Sequence, residues 1–373
     1  MSRTASILLC LLFFLFAPAL PSSGQDMDVI DSLGRSVTIP ASPERIIASG
    51  SGALRLVVYL QAQDKVIATD SAEKAANTLQ VLRARPYSLA NPQFADLPLF
   101  GEFRGMDNAE LIAGLNPRPQ VILKVSPLAG PSPDELTAKT GIPAVGLEYG
   151  NLTNKKSDLY KTLRLMGQIL GREKRAEEVI SFFEKEIGEL RSRTENIPEK
   201  DRPSCYIGGV AFRGGHGFSS TEPGYAPFVF TGAKNIAAGL GAGKSENIQM
   251  SREKLLADDP EFIFIDLNTL AAGEEANALS QLAADPALKA LTAVRKGVVL
   301  GVLPYNAYTA NYGSILANAW FIGKTLYPDR FSDIDPAAKA DEIYTFLVGK
   351  PVFSAMNDAF SGLAFSPVEG AKK

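Results

Sequence analysis

Two consecutive segments with helical periodicity occupy the middle of the chain, within residues 157–196. In the first segment, apolar residues recur every three or four positions, at Leu159, Leu163, Met166 and Leu170. The second segment begins after Gly171 and keeps this spacing from Ala176 to Leu190. A helix of about 20 residues ending near Thr194 would span about 30 Å, at 1.5 Å per residue. Such a helix is long enough to join two lobes rather than to cap one sheet.

Short apolar strands alternate with helices on both sides of these two helical segments. The segments "RIIAS" (45–49), "KVIATD" (65–70) and "SCYIGGVAF" (204–212) read as strands. A phrase of helix, proline break and buried strand occurs twice, at 108–125 and 251–267. The pattern predicts an α/β fold that contains a helix long enough to join two lobes.

The two helical segments also set the expected domain boundaries. An N-terminal α/β lobe is expected over 26–155, the bridging helix region over 156–196 and a C-terminal α/β lobe over 197–373.

The first 25 residues have the pattern of a secretory signal peptide. An apolar run (6–20) follows Arg3 and leads into "PSSGQ", a zone of small and turn-forming residues. A lipid anchor on Cys10 is disfavoured because Leu9 before it is large and the cysteine lies inside the apolar run. We therefore expect export to the periplasm, after which Cys205 is the single remaining cysteine and no intrachain disulfide can form.

Charge gives no indication of nucleic acid binding. The chain has 38 basic and 41 acidic residues, and loss of Arg3 with the signal peptide changes the net charge from −3 to −4. The stretch "AAGLGAGKSE" (237–246) approaches a phosphate-binding loop, but Ala238 stands where that motif requires glycine. We interpret it as a glycine-rich connection to a helix that begins near Ser251.

No catalytic motif is present, so an enzyme is not expected. The chain lacks a nucleophile elbow and paired metal-ligand spacings, and His216 is its single histidine. One histidine and one cysteine cannot build a zinc-type site, and no cofactor is expected. The pairs Asp258-Asp259 and Glu274-Glu275 read as solvated ends of helices and loops.

The mature start, "DSLGRSVTIPASPERIIASGSGALRLVVYL" (31–60), resembles the periplasmic binding proteins of iron-siderophore, haem and vitamin B12 ABC importers. The two helix–proline–strand phrases, the Leu-Gly step at 170–176 and the long mid-chain helix continue the similarity. The resemblance implies two Rossmann-like α/β lobes joined by a single long bridging helix, which limits hinge motion. It implies further that a monomer holds a small-molecule metal chelate between these lobes. It also implies that Glu110 and Glu253, one per lobe, pair with arginines of the membrane permease. The alternative is that both are ordinary first-turn acids favoured by the helix dipole.

Candidate ligand contacts lie on loops at the strand ends: Ser51, Arg104, Lys124 and Tyr149 on the first lobe, and Arg213, His216, Tyr305, Tyr308 and Tyr312 on the second. Arg104 falls near a position where siderophore binders of this family often use arginine, and a planar guanidinium suits carboxylate or catecholate oxygens. The alternative is a surface arginine in a turn. His216 lies among four glycines and is either a cargo contact or a solvent-facing residue of a mobile loop.

The tyrosines of "PYNAYTANY" (304–312) allow two interpretations. Tyr308 and Tyr312 are spaced as on one helical face, so they either pack on the core or form a polar aromatic wall against a chelate. Trp320 follows in the same helical pattern and is expected in the core, whereas a cobalamin site would need exposed tryptophans.

Among the cargoes of this family, a ferric siderophore is the leading expectation, and cobalamin, haem or another metal chelate is the alternative. A sensory binding protein without an importer is a lower-ranked function.

Overall fold

The computed structural model describes residues 26–74, 85–241 and 247–368, so the predicted signal peptide lies outside the described residues. Within the described ranges, eight strands precede the bridging region: β1 Asp26–Ile30, β2 Ser36–Pro40, β3 Ile46–Ser49, β4 Val66–Asp70, β5 Leu99–Glu102, β6 Met106–Asp107, β7 Val121–Val125 and β8 Ala144–Leu147. The described helices of this part are α1 Ala53–Tyr59, α2 Pro86–Ala90, α3 Ala109–Ala113 and α4 Pro133–Thr140.

Six of these strands form one sheet in the order β6-β5-β4-β3-β7-β8, parallel except for β6. The strands β3 and β7 are buried along their whole length, as expected of a sheet covered on both faces. The strand order reverses between β3 and β7, and α/β proteins bind ligands beyond the carboxyl ends of the strands at such a point. The loop that leaves β3 there is Gly50-Ser51-Gly52.

Two helices cross the middle of the chain, α5 Lys156–Leu170 and α6 Glu173–Thr194. The second ends at the residue expected from its periodicity. It contacts α5 of the first half, and its apolar face continues onto helices of the second half.

The second half contains the strands β9 Ser204–Gly208, β10 Ser220–Thr221, β11 Lys234–Asn235, β12 Ile248–Gln249, β13 Phe262–Asp266 and β14 Val299–Val302. Its helices are α7 Ala226–Thr231, α8 Arg252–Asp258, α9 Ala278–Ala284, α10 Pro286–Lys289, α11 Thr292–Lys296, α12 Tyr312–Leu326, α13 Pro336–Val348 and α14 Phe353–Ala359. The sheet order is β11-β9-β13-β14, all parallel. The predicted α/β fold, with two lobes and one long connecting helix, is confirmed.

One hydrophobic core runs from the first sheet through α6 into the second lobe. Trp320 is fully buried in it, as expected, and its Nε1 donates to Glu186 of α6 over 2.7 Å. The last helices return to the first lobe, where α13 contacts α1 and α2 and Lys350 Nζ donates to the Ala90 carbonyl over 2.6 Å. The lobes are therefore joined by packing as well as by the crossing chain.

Two local expectations from the sequence meet different outcomes. The helix after the glycine-rich stretch begins at Arg252 with Ser251 as its N-cap, as expected, while residues 242–246 of that stretch lie outside the described part of the chain. The interpretation that Tyr308 and Tyr312 share a helical face is wrong, because α12 begins at Tyr312 and Tyr308 has left-handed backbone, with φ of 56°. No helix within the described ranges is long and apolar enough to cross a membrane.

Candidate functional site

The same three residues, Phe-Arg-Gly, form a turn on each lobe. The first, Phe103–Gly105, follows β5, and the second, Phe212–Gly214, follows β9. Both arginines have left-handed backbone, with φ of 64° at Arg104 and 56° at Arg213. Each guanidinium lies over the ring before it, with Cζ 5.0 Å from the Phe103 centroid and 5.5 Å from the Phe212 centroid. The two turns present the same pair of groups, an exposed cation and an exposed ring.

Both turns border one segment of the second lobe, residues 305–311, which connects β14 to α12. Tyr308 Oη accepts from the Arg104 backbone N–H over 3.0 Å. Asn306 Nδ2 donates to the carbonyl of Ala211, two residues before Arg213, over 2.9 Å. The Arg104 turn of the first lobe and the Arg213 turn of the second lobe thus both contact the same segment.

Apolar surface accompanies the guanidinium groups. Phe103 is 44% exposed, Phe212 is 45% exposed and Leu128 is 85% exposed. Leu128 belongs to a loop that packs on the first turn so closely that a Cβ at Gly130 would lie 2.1 Å from the Gly105 carbonyl oxygen. An exposed cation beside apolar side chains suits an anionic ligand with an organic framework.

Tyr308 is engaged within the protein rather than turned to solvent. Its hydroxyl donates to Asp70, the last residue of β4, as well as accepting from Arg104. Thr309 after it is also left-handed, with φ of 64°. Consecutive left-handed residues other than glycine are unfavourable and persist where surrounding contacts impose them. Those contacts come from the first lobe.

Arg55 of α1 supplies most of them. It is 1% exposed, and its guanidinium donates to the carbonyls of Ala310 over 2.9 Å and Ala307 over 3.1 Å, and to the hydroxyl of Tyr149. Burial alone would lower the pKa of Arg55, but the neighbouring tyrosines raise it, so the cation is retained. A buried cation donating to carbonyls of the other lobe fixes the 305–311 segment in place.

Tyr149 and Tyr312 lie in this inter-lobe packing and not on an open wall. Their rings stack with centroids 5.1 Å apart, and Tyr312 Oη donates to the Tyr149 carbonyl over 2.9 Å. Tyr312 has no exposed surface and Tyr149 is 7% exposed. Both therefore support the arrangement of the lobes in this structure.

Lys124 is also inside the protein. Its ammonium lies 2.5 Å from the Asp107 carboxylate and donates to the Gly105 carbonyl over 3.0 Å, and Ser49 Oγ donates to the same carboxylate over 2.7 Å. The lysine has no exposed surface. It holds the base of the first Phe-Arg-Gly turn rather than facing a cargo here.

Three other predicted contacts are at or near the surface. Ser51 is partly buried between Gly50 and Gly52, which have left-handed φ of 89° and 86°. Tyr305 is partly exposed and packs edge-on against Tyr225 with centroids 5.6 Å apart. His216 is partly buried and its Nε2 lies 2.6 Å from the Phe212 carbonyl oxygen. That imidazole nitrogen is occupied by the second Phe-Arg-Gly turn.

The two glutamates predicted to dock the permease are exposed in first helical turns. Glu110 is in α3, capped by Asn108, which accepts from the Glu110 amide over 3.0 Å. Glu253 is in α8, capped by Ser251, which accepts from the Lys254 amide over 3.2 Å. Within residues 26–74, 85–241 and 247–368, neither carboxylate forms an ion pair. Both are available to a partner.

Sequence reasoning missed Arg55 and Asp70, which organise the site from within. Arg55 stands inside an otherwise apolar helix, "ALRLVVYL", and Asp70 ends the strand "VIATD". A charge inside an apolar run was the available signal, because such residues are rarely buried without a partner. In the described part of the chain, no group of three or more His, Cys, Asp or Glu side chains could hold a metal ion.

Comparison with known proteins agrees with this architecture. A family profile described as "Periplasmic binding protein" matches residues 46–303. The iron-uptake system-binding protein of Bacillus subtilis (strain 168) is 25% identical over 173 residues, which is 44% of this chain. The match spans 53%, about half, of the length of that relative.

Two solved structures share the fold. The molybdate periplasmic binding protein MolA of Haemophilus influenzae, solved with molybdate, aligns with a TM-score of 0.65 at 18% identity, over 87% of this chain and 98% of MolA. The TroA-like periplasmic binding protein FepB of Veillonella parvula aligns with a TM-score of 0.62 at 21% identity, over 87% of this chain and 96% of FepB. The family profile alone matches more than half of this chain. This chain therefore belongs to the periplasmic binding protein family, whose members bind solutes and are not enzymes.

Proposed function

We propose that this protein captures a chelated metal, with a ferric siderophore complex as the leading cargo, in the cleft between its lobes and delivers it to an ABC importer. The observation that carries the proposal is the pair of Phe-Arg-Gly turns, one on each lobe, beside the same 305–311 segment. Two guanidinium groups match the charge and geometry of carboxylate or catecholate oxygens at two ends of one ligand. The iron-uptake relative in Bacillus subtilis supports iron as the metal.

The site favours an organic chelate over a bare oxyanion. MolA binds molybdate, and two arginines would also suit that anion. However, Phe103, Phe212 and Leu128 place exposed apolar surface beside the guanidinium groups, and a bare oxyanion would gain nothing from it. A ligand framework would cover this surface.

Haem is a weaker alternative for this site. Haem iron takes axial ligands such as His or Tyr, and in this chain His216, Tyr305, Tyr308 and Tyr312 are the candidates. His216 Nε2 is held by the Phe212 carbonyl, and the Tyr308 hydroxyl is held by Asp70 and Arg104. Iron coordination by either residue would have to break these contacts first.

We also propose the cellular arrangement that such a carrier requires. Residues 1–25 direct export to the periplasm, and the lobes 26–155 and 197–373 act as a monomer through the bridging region 156–196. Glu110 and Glu253 meet the permease, one from each lobe, through opposite charge. A sensory protein would bind the same cargo without any effect on uptake.

The proposed cargo class is tested by binding to three probes: a ferric tris-catecholate complex, haemin and molybdate. We expect the ferric complex to bind most tightly in isothermal titration calorimetry. Arg104→Ala and Arg213→Ala should each weaken it about 10- to 100-fold, since a hydrogen bond to a charged group contributes about 1.5–3 kcal/mol. Arg191→Ala, at an exposed arginine of α6, is the matched control and should leave the affinity unchanged. Preferential binding of molybdate or haemin would contradict the proposal.

A further inference from the structure

The Tyr308 hydroxyl of the opposite lobe holds the first Phe-Arg-Gly turn. Tyr308 Oη accepts from the Arg104 N–H over 3.0 Å and donates to the Asp70 carboxylate. Arg104 and Asp70 belong to the first lobe, whereas Tyr308 belongs to the 305–311 segment of the second. The three groups form a relay from a buried carboxylate, through the second lobe, to the backbone of the exposed arginine.

The position of the hydroxyl is imposed by the surrounding structure. Tyr308 and Thr309 are both left-handed, and the Arg55 guanidinium donates to the carbonyls on either side of them. The Tyr308 ring also lies beside Arg85, whose Cζ is 5.5 Å from the ring centroid. A side chain constrained at both backbone and ring can transmit a change at one hydrogen bond to the other.

We propose that Tyr308 is a positioning residue, which sets the conformation of the Arg104 turn when the lobes are together, and that the charge on Asp70 controls how firmly it does so. With Asp70 ionised, the Tyr308 hydroxyl donates to a carboxylate and its lone pairs face the Arg104 N–H. With Asp70 protonated, the charge-assisted bond becomes a neutral one and weakens about twofold. The Arg104 turn then loses part of its support.

The groups around Asp70 place this transition near neutral pH. Burial is the main cause that raises the pKa of Asp70, to about 6, and the negative charge of Glu73 adds to it, while the Tyr308 hydrogen bond and Arg85 oppose the rise. Lys74 also faces Asp70, Tyr87 Oη donates to Glu73, and Glu102 accepts from Ser71 beside Asp70. The relay is therefore complete above about pH 7 and weakened below about pH 5.

The Arg104 amide reports on the relay without any cargo. In the full-length mature protein labelled with ¹⁵N-arginine, and with the resonance assigned by its loss in Arg104→Lys, we expect the Arg104 amide shift to titrate with a midpoint near pH 6. Asp70→Asn should remove this titration. Tyr308→Phe should remove it as well and increase amide exchange with solvent about 10-fold or more. Tyr305→Phe, in the same segment, is the matched control, and without cargo its Arg104 amide should titrate and exchange as in the wild type.

The outcomes separate this inference from the proposed function. An unchanged Arg104 amide in Tyr308→Phe, or a titration near pH 6 that survives in Asp70→Asn, would overturn the relay whether or not a cargo binds. If Tyr308→Phe does not fold, the Asp70→Asn titration decides. The role of Arg104 as a cargo contact rests on the proposed function. If none of the three probes binds, that role is contradicted, but the relay is not.

Discussion

Two aspartates have the same local role in the two lobes and different surroundings. Asp70 ends β4 and Asp266 ends β13, and each caps the following turn by accepting from the amide two residues later. The second oxygen of Asp70 accepts from Tyr308, whereas Asp266 Oδ2 has no hydrogen-bond partner among the described residues. Burial raises the pKa of Asp266 to about 8, so this carboxyl is protonated at neutral pH. One lobe keeps its strand-end acid charged and paired, and the other keeps it neutral.

This difference predicts how stability depends on pH. The folded-state pKa of Asp266 is higher than its unfolded value near 3.8, so the folded protein holds the proton more tightly. Its contribution to the free energy of unfolding is complete below about pH 4 and is lost as the pH rises to about 8, by up to about 1.4 kcal/mol per pH unit. Asp266→Asn should flatten the urea-unfolding free energy between pH 5 and 8. The same slope in wild type and variant would show that Asp266 does not hold a proton in the folded state.

Among the elements, α6 joins the lobes through one buried aromatic residue in particular. Phe183 packs edge-on against Tyr59 of α1, with centroids 6.3 Å apart, and against Tyr312 of α12, with centroids 5.8 Å apart. Arg175 of the same helix donates to the carbonyls of Tyr59 and of Phe346 in α13. The helix α6 thus packs against helices of both lobes.

Truncation of this aromatic residue should therefore destabilise the whole molecule. We expect Phe183→Ala to cost about 3–5 kcal/mol in the free energy of unfolding, measured by urea denaturation, because it removes a fully buried ring. Ser181→Ala, at an exposed position of the same helix, should change it by less than about 0.5 kcal/mol. Two separate unfolding transitions with only one affected by Phe183→Ala would argue against a shared core.

Element type and order were predictable from the sequence, because helices and buried strands carry their periodicity locally. The end of α6 at Thr194 and the cap at Ser251 are of this kind. The backbone at Tyr308 was not predictable, since its left-handed conformation is imposed by Arg55 from 253 residues away in the chain. The burial of Lys124 was missed for the same reason, because its partner Asp107 lies on another strand. The conformation of the site residues depends on tertiary contacts, whereas the helices and strands follow from the local sequence pattern.

At the scale of the whole molecule, the shared core limits how far the lobes can separate. Buried residues form one cluster from β3 through α6 to α12, so wide opening would expose apolar surface. Glu110 and Glu253 are carried on short helices of different lobes. Under the proposed function, a permease that pairs with both would sense small changes in their separation.

The docking role of these glutamates is tested by charge reversal. Under the proposed function, Glu110→Arg combined with Glu253→Arg should leave the affinity for the ferric tris-catecholate probe within about twofold. The double variant should reduce uptake of the probe about 10-fold or more, since each new guanidinium would repel the arginines with which the proposal pairs these glutamates. Uptake of the ⁵⁵Fe-labelled probe by cells that depend on this protein is the measurement. Glu274→Arg, at another exposed acid, is the control. Normal uptake by the double variant would exclude the two glutamates as docking residues.

The return of α13 to the first lobe has a consequence for how such a protein can diversify. A gene fragment that stops after α6 would leave α1 and α2 without the helix that packs on them, because that helix is encoded near the other end. Recombination that exchanged half-genes between relatives would therefore produce mismatched hydrophobic surfaces. Under the proposed function, we expect new cargo preferences to arise instead by substitutions in exposed turns such as Phe103–Gly105 and Phe212–Gly214, which leave the shared packing intact.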